Sequence, residues 1–406
     1  MGETTPGRGA VVTALGAVQI LAWGSSFYLP AVMGGPIVAD TGWPLSAVVA
    51  GASLGLLIAG LVSPRVGRAI ARHGGQPVLA ASSGLFAVGL AVIGLSPTLP
   101  VYFAGWIILG AGMGTGLYDA AFATLTRLYG HGARAAITNL TLFGGFASTV
   151  CWPLSAFLAE TCGWRGACLV YAAIHVCVAL PLHLRMLREA QPRQIMDTVQ
   201  PGLEIDDATS RRERRVIPLL AAILTVAAGI GSVVVVHLLM FLQARGADFA
   251  WAVFLGTLFG PAQVAARIVE RLAGRHYHPI WTMVAACVSM AIGLAILFLG
   301  SGATLAAAVI VYGAGYGVSW IARGTLPLAL FGPQRYPELM GRLAFPSLIG
   351  QALAPSVGAM LIDAYGMETG LATLTALSGA NVALVLVLWA STRSTARSSG
   401  GTGPAP

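Results

Sequence analysis

Apolar residues in this chain come in long unbroken runs, not in the alternating or three-and-four spacing of elements that face water on one side. About twelve such runs stand out, at 11–33, 45–62, 77–95, 101–126, 135–159 and 167–183, then at 216–242, 249–266, 280–299, 304–330, 343–364 and 371–390. They are numbered here as spans 1 to 12. Each is long enough to cross a hydrocarbon core about 30 Å thick as an α-helix, and inside lipid the backbone must bond to itself, which a helix achieves within one segment. The pattern predicts an all-α integral membrane protein with twelve transmembrane helices. Only Arg8 among basic residues precedes span 1, and the run outlasts a signal-peptide core, so it is expected to remain as a span.

Composition removes the soluble alternatives. With 56% hydrophobic and 9% charged residues, the 406 residues cannot cover an ordinary water-facing surface. All 23 basic residues are Arg, and they crowd into alternate loops. Arg65, Arg68, Arg72, Arg127, Arg134, the cluster between spans 6 and 7, Arg267, Arg271, Arg275, Arg335, Arg342, Arg393 and Arg397 fall on the side of Arg8, whereas only Arg165 and Arg245 fall in opposite loops. By the positive-inside rule both termini are expected in the cytoplasm, with the chain in the inner (plasma) membrane. The net charge of +8 is therefore a topology signal and an anionic-lipid contact; no soluble domain is present to carry a nucleic-acid footprint.

Between spans 6 and 7 the hydropathy collapses into "RMLREAQPRQIMDTVQPGLEIDDATSRRERR". This divides the chain into an N-terminal six-helix half (1–184), a cytoplasmic linker (185–215), a C-terminal six-helix half (216–392) and a disordered cytoplasmic tail (393–406). The halves match in order at an offset of about 200 residues. "ADTGW" with Asp40 and Trp43 answers "GADFAW" with Asp248 and Trp251; "GAGMG" from Gly110 answers "GAGYG" from Gly313; Arg68, Arg72 and Gly75 answer Arg267, Arg271 and Gly274; "LAETCG" answers "LIDAYG". Two pseudo-symmetric six-helix halves, parallel about an axis along the membrane normal, are one architecture of secondary transporters.

Twelve spans, a polar central loop and "GRAIARHGGQ" between spans 2 and 3 resemble the major facilitator superfamily, with Gly67, Arg68, Arg72 and Gly74 at its signature positions. "GWPLSAVVAGASLGLLIAGLVSPRVGRAIARHGG" and "GWRGACL" are similar to the branch of monocarboxylate and oxalate/formate carriers. The signature's acidic residue is Ala71 here, while the mirror position is Glu270, so the resemblance implies conformational-gate loops at Gly67, Arg68, Arg72 and Gly74 and at Arg267, Glu270 and Arg271, with a lock between halves on one side only. Span 1 has no Lys, and span 8 no Asp/Arg pair before Arg267, charges that the resemblance associates with substrate and proton handling in monocarboxylate carriers. The resemblance also implies that spans 1, 4, 7 and 10 line a central cavity.

Asp119 is the one formal charge between Arg72 and Arg127. A carboxylate at membrane depth costs roughly 2.5 to 3.5 kcal/mol on insertion scales, so it needs a partner or a task. Laying "GAGMG" on "GAGYG" sets Asp119 opposite Ala322, next to Arg323 on span 10. The two charges are expected to face one another across the cavity, either as a static ion pair or as a coupling element in which a released carboxylate takes up a proton. Tyr316, Trp320 and Arg323 follow i, i+4, i+7 spacing, a face that would clamp a planar carboxylate beside aromatic rings or simply pack. Thr115 shares the face of Asp119. His237 on span 7 and His175 on span 6 are the other titratable groups in spans, and Gln19 and Trp23 belong to a polar patch on span 1.

Cys162 and Cys168 flank the turn between spans 5 and 6, and Cys151 and Cys177 lie deeper on the same spans; these could be thiol ligands for a soft ion, a disulfide, or small buried apolar residues. No cofactor, no resident metal and no nucleotide loop is expected, since Gly-x4-Gly-Lys is impossible without lysine. No nucleophile-base constellation points to an enzyme. The residues thus predict a secondary transporter that moves a small organic anion by alternating access, coupled to protons or another ion. An efflux permease for drugs or thiol-reactive metalloids such as arsenite, and a non-transporting receptor on the same fold, are the alternatives.

Overall fold

The computed structural model describes residues 7–189 and 207–398, and among these the backbone is helical with no strand. Most of the expected linker and tail lies outside the described residues. Their edges are helical, however: the sixth span runs on through Leu180–Glu189, the seventh starts at Asp207, and the twelfth is the helix Met367–Ser398. Charged residues at the ends of these spans extend them beyond the apolar runs.

Nine stretches among the described residues are long and apolar enough to cross a membrane, and two of them, Leu99–Arg185 with 87 residues and Thr304–Tyr365 with 62, far exceed one crossing. Gly130, Gly163 and Gly332 reverse the chain inside them with φ of 56, 70 and 74°. Only glycine enters that region without steric cost. Cut at these three turns, the stretches give the twelve crossings that the apolar runs predict. The repeat is also legible in the backbone, for Gly163 (φ 70, ψ 169°) and Gly366 (φ 87, ψ 163°) close the two matched motifs with one conformation. The matched aspartates diverge: Asp248 caps the helix Phe249–Thr257 by accepting the Trp251 amide at 2.8 Å, whereas Asp40 accepts from Trp164 Nε1 at 3.0 Å and pairs with Arg165 at 3.4 Å.

Several spans expected to be continuous are interrupted. Span 1 divides into Arg8–Gly24 and Leu29–Thr41, span 4 into Leu99–Gly116 and Tyr118–Tyr129, span 5 bends at Phe146 after Ala133–Gly145, and span 8 divides into Phe249–Thr257 and Phe259–Ala273. A glycine lies within two residues of each break, at Gly24, Gly116, Gly145 and Gly256, where the helix is weakest and another backbone can approach. Span 6 passes through a π-helical turn at His175–Ala179.

The two halves touch at the Arg-rich end. A Cβ added at Gly67 would lie 2.4 Å from the Pro337 carbonyl oxygen and 3.1 Å from Gly341 Cα, so spans 2 and 11 meet backbone to backbone. On the other side of the bundle Arg134 donates to the Gly274 carbonyl. Large apolar side chains such as Leu95, Phe157, Val357 and Met360 are exposed around the perimeter, where lipid would cover them.

Candidate functional site

The site begins at the break in span 4. Leu117 leaves the helical region (φ −77, ψ −170°), and a new helix starts at Tyr118 with Asp119 in its first turn. A carboxylate there meets the positive end of the helix dipole. The break also frees the Gly116 carbonyl, which Gln19 Nε2 satisfies at 2.7 Å; Gln19 Oε1 in turn accepts from Trp23 Nε1 at 3.1 Å. The polar residues of span 1 thus hold the interruption that positions Asp119.

Arg323 meets Asp119 as a bidentate pair, Nε to Oδ1 and Nη2 to Oδ2 both at 2.8 Å, with side chains 5% and 17% exposed. Its remaining arm donates to Ser347 Oγ at 2.5 Å. All three guanidinium nitrogens are therefore engaged, on spans 4 and 11, in a geometry that gives both strength and direction. Around the pair Trp320 sits 5.5 Å from Trp23, 5.6 Å from Tyr118 and 6.1 Å from Tyr316, centroid to centroid, and 5.6 Å from the Arg323 guanidinium. The cavity between Asp119, Trp23, Tyr118 and Trp320 measures only about 20 Å³, room for about one water.

A second buried guanidinium lies beside this cluster. Arg267 is 3% exposed, and it donates from Nε to the Gly317 carbonyl at 3.0 Å, from Nη1 to the Thr141 carbonyl at 2.6 Å and from Nη2 to Gln263 Oε1 at 3.4 Å. Tyr118 reaches the same Thr141 carbonyl at 3.4 Å, which joins Arg267 to the aromatic group. Among the described residues no carboxylate pairs with Arg267. Glu270, three residues along the same helix, is turned away: it accepts from Thr282 at 2.7 Å and from Tyr277. Burial, and then the bond to Glu270, push the Tyr277 phenol up to about 12, so it keeps its proton for that bond across the ordinary pH range.

This corrects the sequence reading at two points. Arg267 was expected in an inner loop and instead stands inside the helix Phe259–Ala273, bonded to the middle of span 10. Glu270 was expected to lock the halves by a salt bridge; its hydrogen bonds go instead to Tyr277 and Thr282 of its own half, while across that side its charge acts on Arg134, which itself donates to the Gly274 carbonyl. Of the signature residues in the N-terminal half, Gly67 makes the close contact, Arg68 and Arg72 are exposed, and Gly74 ends its helix at φ 85°. The carbonyls of Ile70 and Ala71, where the signature has its acid, are bonded by Arg127.

Other candidates stand apart. Thr115 returns its hydroxyl to Ala111 and Gly112 of its own helix at 2.8 and 3.0 Å. His237 bonds the Val233 carbonyl of its own helix at 3.0 Å and lies against Phe241. His175 is held by Ser25 Oγ at 2.9 Å and stacks on Phe86. The thiols do not converge either: Cys151 is buried and faces the Ile20 carbonyl at 3.4 Å, Cys177 is exposed, Cys162 bonds its own helix at Leu158, and Cys168 is buried and free. Among the described residues no group of three or more His, Cys, Asp or Glu could hold a metal ion. Ser347 and the depth of Arg267 are what the sequence reading missed. A single serine carries no signal, but counting about twenty residues from the cap at Asp248 would have carried the membrane past Arg267.

The family model of the Major Facilitator Superfamily matches residues 15–304. Among solved structures, a variant of the E. coli fucose:proton symporter FucP superposes with a TM-score of 0.73 at 14% identity, covering 93% of this chain and 98% of that one. The human organic anion transporter MFSD10 gives 0.72 at 16% identity over 94% and 100%. The proton:xylose symporter XylE gives 0.68 at 14% over 94% of each. No curated protein matches the sequence.

Proposed function

This chain belongs to the Major Facilitator Superfamily, and we propose that within it the protein moves a small organic anion, coupled to protons, by alternating access between its two halves. The observation that carries the reading is Arg267, a buried guanidinium whose partners among the described residues are two backbone carbonyls, a glutamine amide and the Tyr118 hydroxyl, with no carboxylate, set beside aromatic side chains and a separate, self-neutralised ion pair. A buried cation without a counter-ion is costly, and an anionic substrate would supply the missing charge. Arg323 is the poorer anchor, because Asp119 already fills its fork. The structural relatives, an organic anion transporter and two sugar:proton symporters, leave both cargo types open to the fold. The charge at Arg267 favours the anion, in keeping with the sequence resemblance to the monocarboxylate and oxalate/formate branch.

In this reading Arg267 also senses conformation. It ties span 8 to span 5 through Thr141 and to span 10 through Gly317, so opening the Arg-rich end between the halves must break the Thr141 bond and free donors for substrate. Asp119 and Arg323 link spans 4 and 10 in the same way; when they part, the carboxylate is left to accept a proton. The test is uptake into proteoliposomes of labelled small carboxylates, sugars and amines, with and without a pH gradient. Gradient-dependent accumulation of a carboxylate is the expected result, and accumulation of a sugar or amine with no carboxylate uptake would overturn the anion reading.

We place both termini in the cytoplasm, on the strength of the arginine distribution. In a cysteine-free background carrying Thr209→Cys or Asp248→Cys, an impermeant thiol reagent applied to intact cells should label only the second. Labelling of the first alone would invert the topology.

A further inference from the structure

At the Arg-rich end a cavity of about 530 Å³ opens between spans 1, 5 and 8; it shares no lining residue with the small space beside the Asp119 pair and is larger than it. Arg8, Arg271, Asn139 and Thr13 supply its polar rim, and among the described residues no acidic one lines it. Arg271 and Asn139 make no side-chain hydrogen bond or ion pair among the described residues, and Arg8 spends part of its guanidinium on the Gly132 carbonyl and the face of Tyr129. The wall below is apolar: Phe143 is half-buried, and Phe146, which lies about 10 Å further along span 5 than Asn139, is exposed. Another Arg-lined cleft differs in kind, because Glu338 lines it together with Arg335 and Arg342.

We propose that this cavity binds one anionic phospholipid, its phosphodiester between Arg8 and Arg271 and its acyl chains along Phe143 and Phe146. Two arginines without a carboxylate recognise a phosphate, and basic pockets between helices at a membrane surface take lipid headgroups. The phosphate chemistry alone would suit a soluble anion as well, but the exposed apolar wall continuing from the polar rim matches a molecule with tails. Arg8 belongs to the first half and Arg271 to the second, so the bound lipid bridges the halves and favours the arrangement in which their Arg-rich ends touch. Assignment to the inner leaflet rests on the cytoplasmic placement of the termini; the binding does not.

The test uses the purified full chain in detergent, with thermal unfolding followed in dioleoylphosphatidylglycerol, dioleoylphosphatidylcholine or inorganic phosphate. At phosphatidylglycerol well above its Kd, linkage gives an expected rise of several degrees over phosphatidylcholine. The Arg8→Gln/Arg271→Gln variant should lose most of that difference, and Arg8→Lys/Arg271→Lys should restore part of it. Native mass spectrometry provides a second readout that does not depend on stability, with phosphatidylglycerol retained by the parent and not by the Gln variant. Equal effects of the two lipids, or a phosphatidylglycerol effect undiminished in the Gln variant, would overturn the site. Stabilisation by inorganic phosphate equal to that by phosphatidylglycerol would overturn the lipid assignment in favour of a soluble anion. Because no transport is measured, failure here is separate from failure of the anion-carrier reading.

Discussion

Arg267→Gln is expected to abolish anion uptake while leaving the protein as stable as the parent or more so. The two halves of this result have different causes. Hydrogen bonds to a charged group contribute about 1.5 to 3 kcal/mol each, so losing a two-pronged contact to a carboxylate costs about 3 kcal/mol or more, on the order of 10²-fold in Kd. In the absence of substrate, however, the same guanidinium is a buried cation with no counter-ion, bonded to the carbonyls of Thr141 and Gly317. Removing an uncompensated buried charge relieves its desolvation cost. Arg267→Lys keeps the charge and loses the planar fork, so it should bind weakly and transport slowly. Uptake into proteoliposomes beside a thermal unfolding curve separates the cases. A large fall in Tm for Arg267→Gln would make Arg267 a structural staple instead of a substrate anchor.

Asp119→Asn should do the reverse and destabilise the protein. It leaves Arg323 buried without a counter-charge, bonded to Ser347 and at best to one amide oxygen, and breaking a buried pair from one side costs about 3 to 5 kcal/mol in soluble proteins. Arg323→Gln strands Asp119 in the same way. The Asp119→Asn/Arg323→Gln double variant should lose less than the sum of the two, and the difference is the coupling energy of a double-mutant cycle. Transport adds a second axis: the Asp119→Asn carrier, where it folds, should exchange substrate across the membrane but no longer accumulate it against a gradient driven by pH. Additive stability losses would mean that the pair contributes no coupling, and an unchanged response to pH would remove Asp119 from the proton step.

The meeting of Asp119 and Arg323 was legible in the sequence because the "GAGMG" and "GAGYG" repeats carry a ruler from one half to the other, and a helix in lipid gives an isolated charge few places to go. The all-helical, many-span character was legible from apolar run lengths, and the nine long apolar stretches among the described residues, two of them broken at glycines, are consistent with the twelve runs. The breaks within spans were not, since a run such as "GTGLYDAAFATL" stays apolar across an interruption that reverses no direction. What the break at Leu117 does is nonetheless specific: it turns Asp119 into a first-turn residue and hands the Gly116 carbonyl to Gln19. Arg267 was misplaced for a related reason. Hydropathy drops where Arg267, Glu270 and Arg271 cluster, so the run ends at residue 266, while the helix continues to Ala273 and takes the first two charges into the protein interior. The matched Arg68 lies on an exposed face, which shows that one repeated motif can serve two environments.

The recognition of charge by Arg267 can be measured without flux. Trp23 and Trp320 stand 5.5 Å apart beside the site and give an intrinsic fluorescence signal for ligand entry. The measurement is a titration of the purified protein with the transported carboxylate and with its uncharged amide, in the parent and in Arg267→Gln. The parent should bind the acid on the order of 10²-fold more tightly than the amide, and Arg267→Gln should bind the two alike. Equal affinity of the parent for acid and amide, or full discrimination retained in Arg267→Gln, would contradict the assignment of Arg267 as the anion anchor.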